Sequence, residues 1–509
     1  MIAVEEKVLK PKLNPPAAAL LAEVSHLLTP KNIKVFLVGG FVRHLLLATD
    51  TTDIDLAVTT NALDIGPGMA DALGGSFVPL DEENGTGRVV LTRNGQWTID
   101  LCTISGGIDQ DLGRRDFSVN AMAVDLANID LTPGQPAFSE SDLLDPFGGR
   151  ADLDNKIIRA LKDDVFDNDP VRLLRAVRLA AELRFTIDGH TEALIKKSGH
   201  LLKSVAAERC RDELIRLLAV PDVEPLWPYI DRLGLITALV PEMAPTKGVS
   251  QPKEHAWDVF DHSVKTIASI DFLLRQGSWL EAGAEVLTVV PWNDELAAHF
   301  AQKISGSSRR VLTKLAALLH DIAKPQTKMI DETGRTRFFG HARDGAEIAA
   351  AVLKRLRFSG KETKLVEAMV RYHLRPPQMS QAGVMPSPRA IYHFYRDAAD
   401  AGTETLYLSL ADHLAARGPS LDMANWREHA GLVAYVMEQR QKQEKLVTPP
   451  RLVTGHELME TFSLKPGPRV GRLLEALREA QAAGEVATRE EALAWAANLV
   501  TQHSDEEES

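Results

Sequence analysis

The stretch LVGGFVRHLLL (residues 37–47), followed by TDIDLAV (residues 52–58), decides how the N-terminal part of the chain is read. The apolar run Val35–Val38 predicts a buried strand, and Gly39 and Gly40 permit a tight turn at which the backbone can approach a phosphate closely. From Phe41 to Ala48 the apolar content predicts a helix with Arg43 in its first turn, where unbonded N–H groups and the helix dipole favour anions. Residues 53–58 alternate with period two, which puts Asp53 and Asp55 on one strand face and Ile54 and Leu56 on the other. Two neighbouring carboxylates repel unless cations stand between them. Two cations roughly 3.5–4 Å apart can activate an attacking hydroxyl and stabilise a departing pyrophosphate. A bare D-x-D also suits a solvated strand end; the glycine-arginine turn just upstream turns the reading towards nucleotidyl transfer.

Further along, Arg88–Thr92 and Trp97–Cys102 predict two strands joined at Asn94-Gly95, a hairpin signal. That places Asp100 on a strand able to lie beside Asp53 and Asp55, as a third carboxylate or as an ordinary half-exposed strand residue. The string DLGRRDFSVNAMA (residues 111–123) packs Arg114, Arg115, Asp116 and Asn120 among apolar Phe117, Val119 and Met122. The two arginines suit bidentate hydrogen bonds to phosphate, whereas Asp116 and Asn120 can hold a ribose or the fold. In DPVRLLRAVRLA (residues 169–180), Pro170 suits a first helical turn, and Asp169, Arg172, Arg175 and Arg178 recur every three residues as a slanted stripe. An arginine stripe is commonly a solvated face. Led by an aspartate, this one offers an acceptor and a donor together, which is what reading a base edge requires.

The order G-G-x-V-R, D-x-D, R-R-D-F, D-P-x-R-x-L-R-A-x-R and A-E-R-x-x-x-E-L resembles the class II tRNA nucleotidyltransferases and related bacterial poly(A) polymerases, members of the DNA polymerase β-like nucleotidyltransferase superfamily. The resemblance implies Mg2+ held by Asp53 and Asp55, with Asp100 as a further catalytic candidate. It implies nucleotide contacts from Gly40, Arg43 and Arg115, beside which Gly39, Arg114, Asp116 and Asn120 stand as nucleotide-binding candidates from the reading of the residues. It makes Asp169 and Arg172 a protein template that pairs with CTP or ATP, with Arg175 and Arg178 near the nucleotide. Residues 145–149 and Asp152-Leu153 match the passage from head to neck, and Glu208, Arg209 and Glu213 a structural neck motif. Two positions depart from the pattern. His44 stands where the family usually has aspartate, and the segment Thr103 to Gly113 is shorter than the loop many CCA-adding members use to switch from CTP to ATP. Addition of CCA, of CC, of A alone, or of a poly(A) tract are therefore all open.

The second half carries different residues: HAWDVFDHSV (255–264), ALLHDIAKP (317–325), FFGHARDGA (338–346), YHLRP (372–376) and LADHLAARG (410–418). Their helical period lets His262, the adjacent His320 and Asp321, and Asp412 converge from separate helices. Histidine with aspartate suits a divalent ion able to activate water. This order resembles the HD superfamily of metal-dependent phosphohydrolases. It implies Mg2+, Mn2+ or a transition metal on His262, His320, Asp321 and Asp412, with His341 and His373 as extra ligands or phosphate contacts.

At 509 residues the chain is too long for one core, and 45% hydrophobic residues suffice for several. The expected architecture is α+β: a nucleotidyltransferase head with a mixed sheet (residues 1–150), a helical neck (151–248), an HD domain (249–420) and a helical tRNA-binding tail (421–509). Residues 277–310 look like an insertion. Gly467-Pro468 predicts a break before a new helix carrying Arg469 and Arg472 near its start. Two cysteines, Cys102 and Cys210, imply neither a disulfide framework nor a zinc site. With no membrane-length apolar stretch, and Glu5, Glu6 and Lys7 in place of a signal peptide, a cytoplasmic location is expected. A net charge of −12 argues against bulk electrostatic coating of nucleic acid, so binding of the tRNA acceptor end should depend on local arginine and lysine patches and weaken steeply with salt. The acidic run 505–508 is expected to be disordered. Oligomeric state is not legible.

Overall fold

The computed structural model describes residues 13–92, 96–132, 137–222, 225–281, 283–380, 384–442 and 451–504. The Asn94-Gly95 turn, Glu5 to Lys7 and the acidic run 505–508 lie outside the described residues. The chain forms two compact units, Met1–Val205 and Ala206–Ser509.

The first unit is built on a seven-stranded sheet of order β3-β4-β5-β2-β1-β6-β7. Its strands are β1 (Val35–Val38), β2 (Asp53–Val58), β3 (Ser76–Asp81), β4 (Thr86–Leu91), β5 (Trp97–Thr103), β6 (Ala123–Asp125) and β7 (Leu143–Leu144). β2 and β5 pair parallel and the other neighbours antiparallel, so the sheet is mixed as expected. β1 is buried along its whole length because it lies between β2 and β6. β2 alternates, with Ile54 and Leu56 fully buried opposite the two aspartates. The parallel pairing needs a crossover, supplied by the helix Ala62–Leu73 and the β3–β4 hairpin.

The helix after β1 spans Gly39–Leu46, two residues earlier than expected, so Arg43 falls in its second turn. The freed first-turn N–H of Phe41 donates to Asp55 Oδ2 at 3.2 Å. The arginine-stripe helix runs from Arg172 to Leu183; Pro170 precedes it in a turn closed by Arg172 N–H on the Asp169 carbonyl at 3.1 Å. Leu173, Leu174, Val177 and Leu179 bury its apolar side.

Among the described residues the second unit is helical apart from two short hairpins, Lys303–Ile304 with Ser307–Ser308 and Lys328–Ile330 with Thr336–Phe338. The helices Val259–Leu273 and Gly402–Arg417 are buried on nearly every side, polar His262, Asp271 and Glu404 included. Beside them lies Arg309–Leu319, whose fully buried Lys314 reaches Asp271 at 2.7 Å. The segment expected as an insertion is folded: Trp292 stacks on Phe300, and Phe300 meets Tyr407 edge-on at 4.9 Å between centroids. Near the C-terminus, Gly455–Phe462 starts with a Thr454–Glu457 capping box. Gly467 caps the helix Pro468–Ala482, where the sequence placed the break.

Candidate active site and metal centre

β2 and β5 pair in register, so Asp55 stands beside Asp100 and Asp53 beside Thr98, whose hydroxyl donates to Asp53 Oδ1. Asp53 is exposed and Asp55 half-buried. Burial pushes the Asp55 carboxyl up, Arg115 pulls it down, and the charge of Asp100 adds to the rise. The glycine turn lies directly over this row. Gly39 has φ of +65°, and a Cβ there would sit 2.7 Å from Arg115 Nη1 and 3.1 Å from Asp55 Oδ2. At Gly40 a Cβ would meet Asp55 Oδ2 at 3.2 Å. The two glycines thus bring backbone against a carboxylate and an arginine where any side chain would displace them.

Arg43 does not project into open space. It is 6% exposed, its Nη1 donates to Asn120 Oδ1, and its Nη2 lies 3.2 Å from His44 Nε2. Burial lowers its pKa against the pull of Asp55 and Asp116. Asn120 in turn donates to Asp116 Oδ1 at 3.0 Å, and Asp116 Oδ2 receives Arg175 Nη1 at 3.2 Å. Arg115 pairs with Asp111 at 3.2 Å, whereas Arg114 is exposed and offers its carbonyl to Arg172 Nη2 at 3.1 Å. Arg172 Nε lies 3.8 Å from Asp169 Oδ2 and, among the described residues, makes no hydrogen bond although buried. Arg178 is 8% exposed and pairs with Glu182 at 2.5 Å, so the stripe is not a solvated face.

Sequence reasoning missed several partners. Arg88 grips Asp100, Thr98 caps Asp53, Asp111 holds Arg115 and Glu182 holds Arg178. Glu182 was accessible as an i, i+4 neighbour of Arg178. Arg88 opposite Asp100 needed the strand register, which no local pattern supplies.

In the second unit, His262 from Val259–Leu273, His320 and Asp321 after Arg309–Leu319, and Asp412 from Gly402–Arg417 converge. His262 Nε2 lies 3.0 Å from Asp412 Oδ1, 3.2 Å from His320 Nε2 and 3.4 Å from Asp321 Oδ2. His341 and His373 face the other Asp321 oxygen at 3.4 and 4.0 Å. His320, His341 and His373 each turn Nδ1 to a backbone carbonyl three residues back, at 2.8, 2.6 and 2.7 Å. Those bonds fix the tautomer that leaves Nε2 as the ligand atom.

Among the described residues, the Nε2 atoms of His341 and His373 are buried without a hydrogen-bond partner, which a divalent cation would remedy. Burial alone would depress His320, but Asp321 and Asp412 outweigh it and raise its pKa to about 10. A histidine so held between carboxylates carries a proton where a cation fits. Burial together with His320 and His341 depresses His373 to about 3, a neutral ligand at any working pH. Lys324, unassigned from sequence, reaches Asp321 Oδ2 at 2.6 Å. A cavity of about 440 Å3 opens over the cluster, with Lys324, Arg337, Phe338 and Arg417 on its wall.

A mixed sheet presenting D-x-D beneath a glycine turn, with a separate HD cluster, defines a polymerase β-like nucleotidyltransferase coupled to an HD domain. The Poly A polymerase head domain family matches residues 101–159 and the RNA- and SrmB-binding site of polymerase A residues 184–247. The HD domain family matches residues 295–417, and tRNA nucleotidyltransferase domain 2 residues 434–497. The A-adding tRNA nucleotidyltransferase of Deinococcus radiodurans is 35% identical over 471 residues, covering 90% of this chain and 94% of its own. The CC-adding tRNA nucleotidyltransferase of Thermus thermophilus is 33% identical, covering 92% and 93%. The solved CCA-adding enzyme of Thermotoga maritima complexed with tRNA shares the fold, with TM-score 0.56, 22% identity, and 97% and 98% of the two chains covered. The chain belongs to the tRNA nucleotidyltransferase family. Among the described residues, no helix is long and apolar enough to cross a membrane.

Proposed function

We propose that the first unit adds C, A or both to the 3′ end of tRNA, by in-line attack of the terminal hydroxyl on the α-phosphate of CTP or ATP with release of pyrophosphate. The observation that carries this reading is the placement of Asp53 and Asp55 on one strand face, with Asp55 against the Gly39-Gly40 turn. Asp53 and Asp55 would hold Mg2+, which when bound supplies charge neutralisation and hydroxyl activation. Arg115, locked beside Gly39 by Asp111, offers a guanidinium to the triphosphate. Asp169, just before the helix, meets Arg172 at its start, and among the described residues the Arg172 Nε donor makes no hydrogen bond, which suits pairing with a base edge. Asp116 and Asn120 are consumed by the protein, so their part is to hold Arg43 and Arg175 rather than a ribose.

The connection from β5 to Arg114 is only a bend and the short helix Ile108–Leu112, which favours partial addition, as do relatives named for A or CC addition. The test is product sizing on one tRNA ending before CCA, after C and after CC, with Mg2+ and CTP, ATP or both. Arrest at CC, or reaction only with the CC-ending transcript, supports partial addition; completion of CCA overturns that restriction, and a long adenylate ladder replaces it with poly(A) synthesis.

The His341 and His373 Nε2 atoms, without a hydrogen-bond partner among the described residues, favour a second reading, a metal-dependent phosphohydrolase in the second unit. His262, His320, Asp321 and Asp412 would hold the ion, and Lys324 and Arg337 line the cavity through which a phosphate would enter. Absence of stoichiometric metal, together with no hydrolysis of 2′,3′-cyclic or 2′-phosphate nucleotides, would remove it.

A further inference from the structure

Three strands set the charges of the head in one row. Asp55 on β2 is opposite Asp100 on β5, and Asp100 is opposite Arg88 on β4. Paired positions share a sheet face, so the row reads carboxylate, carboxylate, guanidinium. The last two are joined by a fork: Arg88 Nε donates to Asp100 Oδ1 at 2.6 Å and Nη2 to Oδ2 at 2.7 Å. Both oxygens of Asp100 are therefore engaged on the side away from Asp55. The hydrogen bond to Asp100 is the largest influence raising the Arg88 pKa, and the charges of Asp53 and Asp55 add to it. Among the described residues, Asp53 and Asp55 have no such fork. Asp53 takes the Thr98 hydroxyl and Asp55 a backbone N–H, both neutral donors, and Arg115 and Arg43 act on Asp55 through their charge rather than through a fork.

Resting on the reading of Asp53 and Asp55 as the cation ligands, we propose that Arg88 is a positioning residue that withholds Asp100 from the cations. The ligating carboxylates are then Asp53 and Asp55 alone, and Asp100 serves to anchor a fixed counter-charge at the flank of the site. A guanidinium there weakens cation binding to the nucleotide-free enzyme, so that the cations arrive chiefly with the triphosphate, whose own oxygens complete their shells.

The test is Mn2+ binding to the nucleotide-free full-length enzyme, followed by electron paramagnetic resonance. The head contribution is the part lost in Asp55→Asn, which separates it from the histidine cluster of the second unit. Arg88→Gln frees Asp100 and should tighten that contribution at least about threefold, the order of one exposed charge interaction. Arg88→Lys, which keeps the charge but cannot fork, should fall between. Adding Asp100→Asn to Arg88→Gln should return binding to within about twofold of the parent, since the double variant removes a neutral pair. Unchanged or weaker binding in Arg88→Gln, or a double variant as weak as Asp55→Asn, overturns the proposal. Full Mn2+ binding in Asp55→Asn would instead refute the assignment of Asp53 and Asp55 on which it stands.

Discussion

Arg175 Nη1 donates to Asp116 Oδ2 at 3.2 Å, and the other oxygen of that buried carboxylate takes Asn120 Nδ2 at 3.0 Å and Phe117 N–H at 2.8 Å. Because Asn120 also receives Arg43, one carboxylate ties the helix that carries Arg172 to the turn above Asp55. Under the proposed assignment, base reading and metal holding are thereby mechanically joined through groups that need touch neither ligand.

Asp116→Ala should therefore lower nucleotide addition by misplacing both arginines while also destabilising the first unit by about 1–3 kcal/mol, the cost of leaving buried donors unpaired. Burial pushes Asp116 up, but Arg175, Asn120, Arg172 and the Phe117 N–H outweigh it, so its folded pKa lies below 3.8. Its contribution to stability is present above that ordinary value and is lost as pH falls through the lower folded one. Thermal unfolding between pH 5 and pH 3 should show acid sensitivity in the parent that the variant lacks.

Gly39→Ala should be more harmful than its size suggests. At φ of +65° an alanine costs about 1 kcal/mol in backbone strain alone. Its Cβ would also stand 2.7 Å from Arg115 Nη1 and force that guanidinium away. The expected result is a raised KM for CTP or ATP together with a fall in kcat, read from steady-state incorporation.

What the sequence disclosed was local. The period-two run placed Asp53 and Asp55 on one face, and β2 begins and ends where the alternation does. The HD residues were legible because each sits at a helix end or on a helix face set by period. The start of the turn helix was misplaced because glycines are poor helix formers, yet here Gly39 opens the helix in a conformation only glycine adopts readily. Arg88 stayed hidden since its meaning depends on which residue of β5 stands opposite. For the same reason Asp116 kept two readings: its partner Arg175 is far along the chain, and no spacing rule connects them.

His44, which stands where the resemblance implies an aspartate, is held between two neighbours. Its Nδ1 meets Thr49 Oγ1 at 2.7 Å, leaving Nε2 to accept from Arg43 at 3.2 Å. Burial and the Arg43 charge lower its pKa to about 4. The folded state thus binds fewer protons than the unfolded chain between pH 4 and about 6.5, so this group's contribution is complete above about 6.5 and is lost as pH falls towards 4. Its ring resonances should not titrate between pH 5 and 8 by NMR. A midpoint near 6.5 would mean that the contact with Arg43 does not persist in solution.

The histidine cluster of the second unit should hold metal independently of nucleotide addition. His373 is 1% exposed, its Nδ1 is committed to the Val370 carbonyl, and its Nε2 has no hydrogen-bond partner among the described residues. His373→Gln roughly preserves volume but replaces the imidazole ligand, so it should weaken metal at the Asp321 side of the cluster more than it disturbs packing. Since ligand bound only to the folded state adds about 2.7 kcal/mol at a hundredfold excess over Kd, metal removal should lower the Tm of the parent distinctly and of the variant much less. Metal content by elemental analysis should fall in His373→Gln, with incorporation of C or A on tRNA retained once Mg2+ is supplied, because no residue of this cluster belongs to the first unit. Unaltered metal content and an unaltered chelator-induced Tm shift would show that His373 is an ordinary buried histidine.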